Sequence, residues 1–258
     1  MPDAHSSTET VRAAAITICL LVASPAAADV NVIATYEARL LIKIADLRTD
    51  TVVGPTGYRL GARLTTIGAL GVIKPSTLLV QADGVTRDGA PVPTVYIQTE
   101  KGKRRVTRFN GGGGWKSLAD PLTQLMRAAM QPGTPCLGAT PIYDGRQRYD
   151  LVLTPAGGGG FFGAATGLGL QRPVSCRLGF RPISGFSSSP KTSPFLRGDP
   201  VATFGFSPAA QVWLLTDISV PTVAGTGHIA LTSAHITGSR PAFANATPPQ
   251  TRAPKRRR

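Results

Sequence analysis

The chain has few of the residue types from which catalytic and metal sites are built. Among its 258 residues are three cysteines, three histidines and 14 acidic side chains, and aromatic residues make up 6%. Cys19 and His5 fall in the first 28 residues, which read as a removable segment, so Cys136, Cys176, His228 and His235 are what remains. His228 and His235 stand seven apart on one expected strand, which would put them on opposite faces and prevent a shared metal without a bulge. If both cysteines are oxidised, no thiolate is left to complete a site, and no metal or cofactor is expected.

Catalytic signatures are missing as well. Gly205-Phe-Ser-Pro-Ala209 and Gly185-Phe-Ser-Ser-Ser189 each lack the closing glycine of a nucleophile elbow. In Asn110-Gly-Gly-Gly-Gly-Trp-Lys-Ser117, Trp115 occupies the place where a phosphate loop needs its second glycine. A glycosidase-type acid pair would have to come from carboxylates such as Glu37, Asp144 and Asp150, whose mutual positions the sequence does not give. The expectation is a protein that is not an enzyme, with a hydrolase of unrecognised site as a third alternative.

No apolar run suits a membrane helix. The apolar core Ala13 to Ala23 holds eleven residues, a rise of about 16 Å where a span needs roughly 20 residues. Ser24-Pro25 and Ala26-Ala27-Ala28 follow it, which is the pattern of a signal peptide cut after Ala28. The preceding stretch carries Asp3 and Glu9 before its only base, Arg12, and translation from Val11 would give a more compact signal. Cys19 lacks lipobox neighbours. The mature protein is therefore expected to start at Asp29, to be periplasmic or secreted, and to span no membrane. In such a compartment Cys136 and Cys176 are expected to form a disulfide.

What is present in excess is positive charge. Residues 29–258 hold 27 basic and 12 acidic side chains, a balance that favours anionic partners. Behind a signal peptide these are lipid headgroups and envelope polymers, and no nucleic acid is expected. Lys103, Arg104, Arg105 and Arg108, joined by Lys101, Arg146 and Arg148, form a candidate anion-binding set if their two hairpins lie side by side. Alternation along a strand divides these residues between two faces, so a solvated charged surface is the competing reading.

Patterning points to a mainly β protein with one short helix. Ala34 to Ile44 alternates as one strand, with Ala34, Tyr36, Ala38, Leu40, Ile42 and Ile44 on the apolar side. Tyr58 to Thr66 repeats the pattern, Leu60, Ala62 and Leu64 facing in and Arg59 and Arg63 out. Further strands are predicted at 78–80, 94–99, 104–109, 176–180, 211–216, 220–223 and 228–236. Asp120-Pro121 opens the helix, with Leu122, Leu125, Met126 and Ala129 on one side and Gln131-Pro132-Gly133 as its stop. Asp144-Gly145, between two apolar-aromatic runs in 141–153, predicts a tight type I′ hairpin. The stretches 156–171 and 184–200 read as loops, 29–238 as a single domain, and 239–258 as a disordered basic tail ending in Lys255-Arg-Arg-Arg258. Scarce aromatics and the basic C-terminus argue against a porin-like barrel.

Together these features resemble the exported bacterial proteins of domain of unknown function 3108. The carriers are Tyr36, Pro93-x-x-Tyr96 before Lys103-Arg104-Arg105, Asp120-Pro121, and above all Tyr143-Asp144-Gly145-Arg146-Gln147-Arg148-Tyr149-Asp150-Leu151, with Trp213 in a late strand. Cys136 and Cys176 fall where some relatives carry paired cysteines. The resemblance implies a curved antiparallel sheet, a half-barrel wrapped around a helix and similar to periplasmic lipoprotein carriers. It implies a concave face for an apolar or amphipathic ligand or a partner chain, in a binding or envelope-maintenance role. The alternative is an electrostatic binder of anionic envelope polymers or lipids. The family has no catalytic residues to transfer.

Overall fold

The computed structural model describes residues 29–73, 75–87, 90–110, 114–157, 160, 163–186 and 197–238. The expected signal segment 1–28 and basic tail 239–258 lie outside the described residues. The first six strands are β1 (Val30–Arg39), β2 (Lys43–Val53), β3 (Gly57–Thr66), β4 (Thr77–Arg87), β5 (Ala90–Glu100) and β6 (Lys103–Arg108). The second six are β7 (Gly138–Tyr143), β8 (Arg148–Pro155), β9 (Gln171–Ser184), β10 (Val201–Ser207), β11 (Val212–Thr222) and β12 (Gly225–Thr237). A six-residue helix, α1 (Gly68–Ile73), joins β3 to β4, and α2 (Pro121–Ala129) lies between β6 and β7.

All twelve strands form one antiparallel sheet in the order β6-β5-β4-β3-β2-β1-β12-β11-β10-β9-β8-β7. Each strand pairs with its neighbours in sequence, except that β1 also pairs with β12 and no ladder joins β6 to β7. The result is a curved, mainly β structure one strand pair short of a closed barrel. Burial alternates strictly along β1, where Val30, Val32, Ala34, Tyr36 and Ala38 face the interior, as an amphipathic strand requires. Across the register, Thr51, Leu60, Ala82 and Tyr96 share that side.

Three buried clusters fill the concave side. One joins β1 and β12 to Val212 and Leu214 of β11 and to Ala165 and Leu170 of the β8–β9 connection. Ladder pairs between β11 and β12 stop at Asp217 and Ala230, and the connection packs on β12. A second cluster gathers Tyr58, Leu60, Ala82, Tyr96 and Phe109 around Met126 and Met130, and a third sets Ala128 among Leu153, Cys176, Phe204 and Trp213. Helix α2 thus belongs to the cores of both halves of the sheet. Gly84 is required here: a Cβ on it would stand 2.3 Å from the Tyr58 ring, which lies across the strand in its place.

Several sequence expectations need correction. The single strand expected over 34–44 is two strands broken by a turn at 40–42, where the Leu40 N–H donates to the Ile42 carbonyl at 3.1 Å. No glycine, proline or Asx residue punctuates that turn, so apolar alternation runs through it unbroken. Consequently Leu40 and Ile42 are not interior strand residues. Strands β2 and β10 went unread, 211–216 and 220–223 are parts of one strand, and α1 is a second, shorter helix. The Asp144 hairpin closes with the pair Tyr143 and Arg148, so its loop has four residues instead of two. The Asp144 carboxylate accepts the N–H groups of Arg146 and Gln147 at 2.8 and 2.7 Å, which stabilises the longer loop. Residues 187–196 of the second expected loop lie outside the described residues.

Cys136 and Cys176 are bonded, with Cα atoms 5.5 Å apart and a sequence separation of 40. The bond ties the segment after α2 to β9. Chain entropy alone gives such a cross-link about 4 kcal/mol. Replacing both cysteines by serine should lower the unfolding free energy by about 2–4 kcal/mol in urea titrations, with the far-ultraviolet spectrum of the native state retained.

Candidate functional site

Helix α2 determines what the concave face can hold, and the chain fixes it at both ends. Asp120 is the N-cap and Pro121 the first helical residue. The Asp120 carboxylate accepts the Thr123 N–H at 2.9 Å and the Thr123 hydroxyl at 2.5 Å. With that proton committed, the Tyr58 hydroxyl donates to Thr123 at 2.7 Å, which links the helix start to β3. Arg127 donates through Nε and Nη2 to the Pro91 carbonyl of β5 at 3.1 and 2.8 Å. Beyond the helix end, the Trp213 indole N–H of β11 donates to the Gln131 carbonyl at 2.9 Å. The disulfide follows five residues later.

These anchors occupy the polar side of the helix. Its other side, Leu122, Leu125, Met126 and Ala129, is the apolar stripe read from the sequence, and it faces a cavity of about 160 Å³. Opposite stand Val32, Val53, Leu60 and Ala62 of the sheet and Leu214 of β11. Leu125, 41% exposed, marks the cavity's outer rim. Two polar groups of the wall are already engaged, since the Tyr36 hydroxyl donates to the Leu215 carbonyl at 3.2 Å and the Thr49 hydroxyl to the Ala34 carbonyl. Burial raises the Tyr36 phenol far above its ordinary value, so it remains neutral. With Thr51 the remaining hydroxyl of the lining, a guest meets mainly carbon. Apolar cavities of about 150 Å³ accept benzene-sized molecules.

The basic residues make a different surface. In β6, Lys103 and Arg105 are in register with the interior-facing Glu100 and Gln98, whereas Arg104 and Arg108 point to the outer face. The β7–β8 hairpin does approach β6: a Cβ on Gly145, whose φ is +92°, would fall 2.1 Å from Thr107 Oγ1 and 3.4 Å from Arg105 Cδ. Since β6 is an edge strand, its cations also discourage pairing with another sheet. On the outer face, a broad groove of about 630 Å³ has Arg48, Arg63 and Arg104 around Val52, Leu79 and Ile97. Arg48 and Arg63 are direct cross-strand partners, an unfavourable arrangement that the single carboxylate of the groove, Asp50, offsets only in part. Sequence reading missed this groove because Arg48 lies on the unread strand β2.

The other sequence candidates do not assemble. Glu37 is held by Lys43 at 2.9 Å and by Arg39, and β1 is separated by four strands from β8, which carries Asp150. The histidines require a correction: Thr232 is an extra residue in β12 between the partners of Thr35 and Tyr36, so His228 and His235 share the outer face. Seven residues of strand still separate them by roughly 20 Å. His228 instead meets Asp217 at 3.2 Å. Among the described residues, no group of three or more His, Cys, Asp or Glu side chains is placed to hold a metal, and no helix is long and apolar enough to cross a membrane.

No family model matches the chain, and no curated protein matches it. A solved structure with similarity to it is the β-barrel-like protein of domain of unknown function DUF1849 from Brucella abortus, at 9% identity and a TM-score of 0.36, covering 81% of this chain and 97% of that one.

Asp120 gives a test of the helix anchor. Burial lifts its carboxyl above the ordinary aspartate value, and the hydrogen bonds from Thr123 only partly oppose this. The native state therefore takes up this proton before the unfolded chain does, so between the two pKa values its contribution to stability falls as pH rises. Asp120→Asn keeps an acceptor and removes the charge. It should flatten this pH slope and change stability at pH 7 by less than about 1 kcal/mol. Asp120→Ala, which leaves the helix uncapped and Thr123 without its acceptor, should cost about 2 kcal/mol at every pH. Urea unfolding across pH 4–8 reads both.

Proposed function

We propose that the protein is an exported, non-enzymatic binding protein that holds a small apolar or amphipathic guest between α2 and the concave face of its sheet. The observation that carries this reading is the carbon-lined cavity beside a helix fixed at both ends. Packed interiors seldom leave space of this size, and an apolar void lowers stability in proportion to its volume. Its retention beneath an exposed Leu125 fits a site for part of a ligand, such as one end of an acyl chain. The disulfide and the sequence of residues 13–28 support an oxidising compartment such as the periplasm.

Native mass spectrometry of the protein purified from its own host is the direct test. A stoichiometric guest, released on denaturation and identified as apolar or acyl-containing, is the expected result. Ala129→Phe, which fills the cavity from the helix side, should abolish the adduct without lowering the thermal midpoint. An adduct that survives this substitution would exclude the cavity as its site. A protein with no guest would favour a second reading, in which a polyanion of the envelope occupies the groove of Arg48, Arg63 and Arg104.

A further inference from the structure

In an up-and-down antiparallel sheet, alternate turns emerge at the same end. The β1–β2 turn, the α1 connection, and the β5–β6, β7–β8 and β11–β12 turns therefore share one end, and the turns at 54–56, 156–170 and 208–211 share the other. Among the described residues the two ends differ. Leu41 is 83% exposed, Ile42 60%, Val72 of α1 84% and Val223 49%, all on turns of the first end. The described turn residues of the second end include no exposed large aliphatic or aromatic side chain.

Three of these turns are contiguous. Helix α1 packs on β2, and the Ile67 N–H just before it donates to the Ile44 carbonyl at 2.9 Å. Gly227 of β12 lies against the Leu40 side chain. Strand spacing puts neighbouring turns of this end roughly 10 Å apart, so their aliphatic tips form one rim.

Cations border that rim. Lys101 occupies the β5–β6 turn and Lys103 opens β6 beside it, Arg146 occupies the β7–β8 turn, and Arg197 donates its N–H to the Pro221 carbonyl of β11 near Val223. None of these four side chains has an ion pair among the described residues, and all four residues are exposed. Of the nearby acids, Glu37 and Asp46 are engaged by Lys43 and Asp144 by the N–H groups of its own turn, while Glu100 stands opposite Lys103 and Asp199 two residues from Arg197, so the four cations outnumber the two remaining carboxylates. Protruding aliphatic tips beside unpaired cations match the chemistry of an anionic bilayer surface, where the tips enter the boundary between headgroups and acyl chains and the cations meet phosphates. A protein partner would more often be met by aromatic anchors in a flat, packed patch.

We propose that this rim docks the protein on an anionic phospholipid surface, with Leu41, Ile42, Val72 and Val223 inserted. The docking is independent of the cavity reading. Sedimentation with vesicles of phosphatidylglycerol and phosphatidylcholine tests it, using the disulfide-bonded protein with its C-terminal tail intact in every variant. Wild type should bind these vesicles and not pure phosphatidylcholine, and Leu41→Ser/Ile42→Ser should weaken binding at least tenfold at equal salt with an unchanged thermal midpoint. The emission of Leu41→Trp should shift to the blue on the vesicles and not in inorganic phosphate. Ala129→Phe should bind as wild type does, which separates this result from the fate of the cavity. Undiminished binding by the serine variant, an unshifted tryptophan, or a dimer that the serine substitutions dissociate without any vesicle binding would each overturn the proposal.

Discussion

The β6–β7 gap is the constraint on which the rest of the structure depends. An antiparallel sheet that stops one pair short of closure exposes two edges and leaves its interior open along one side. Here the chain crosses that gap itself. After β6 it runs back, and Ala119 forms a parallel bridge with Ile142 of β7 and accepts the Tyr143 N–H at 3.0 Å. Helix α2 then packs against β4 and β5 on one side and β7 and β11 on the other. The cross-connection holds two half-sheets at a fixed separation, which ladder hydrogen bonds would do in a closed barrel.

That role explains why a nine-residue helix has so many polar anchors. An isolated helix of this length is not stable in water, and apolar packing alone would leave its position along the sheet weakly defined. Directional bonds from Asp120, Arg127 and the Gln131 carbonyl set that position, although desolvating an acid and a guanidinium opposes folding. With the polar side committed to position, only the apolar side remains to face the interior. Because the helix cannot slide to close the void beside Leu122 and Ala129, the cavity follows from the anchoring.

The elements legible in the sequence were those whose signal is local. Asp120-Pro121 followed by an apolar stripe gave the helix, strict alternation gave β3 and the second half of β1, and an even count of cysteines gave the disulfide. What was lost depends on pairing partners that only the fold supplies. Strand β2 carries Lys43, Asp46, Arg48 and Asp50 among threonines and went unread beyond Ile44, yet the β1 and β3 ladders satisfy its backbone and its inward side meets Ala34 and Ala62. The bulge at Thr232 leaves no mark in composition, and it reverses the relative facing of the two histidines. The cavity was half legible: its helix wall is a periodic pattern, whereas Ala62 is one small residue among many until the register brings it opposite α2.

The distribution of charge argues that the basic excess is organised. Carboxylates near β1 and β4 form local pairs, Glu37 and Asp46 with Lys43 and Asp83 with Arg59 at 2.8 Å. Arg48 and Arg63, by contrast, directly oppose each other, and a carboxylate in place of either would relieve the repulsion. Continuing along the same register, Arg63 meets Leu79, Leu79 meets Thr99 and Thr99 meets Arg104, so apolar surface separates the cations of a single row. A uniformly solvated surface gains nothing from that order, because interspersed charges keep a protein soluble at lower electrostatic cost. The row lies within a few residues of the end that bears the exposed aliphatic turns, whereas the carbon-lined cavity opens beside Leu125 on the opposite face of the same strands. One curved sheet thereby carries its carbon-lined cavity on one face and, on the other, a row of cations interleaved with apolar side chains.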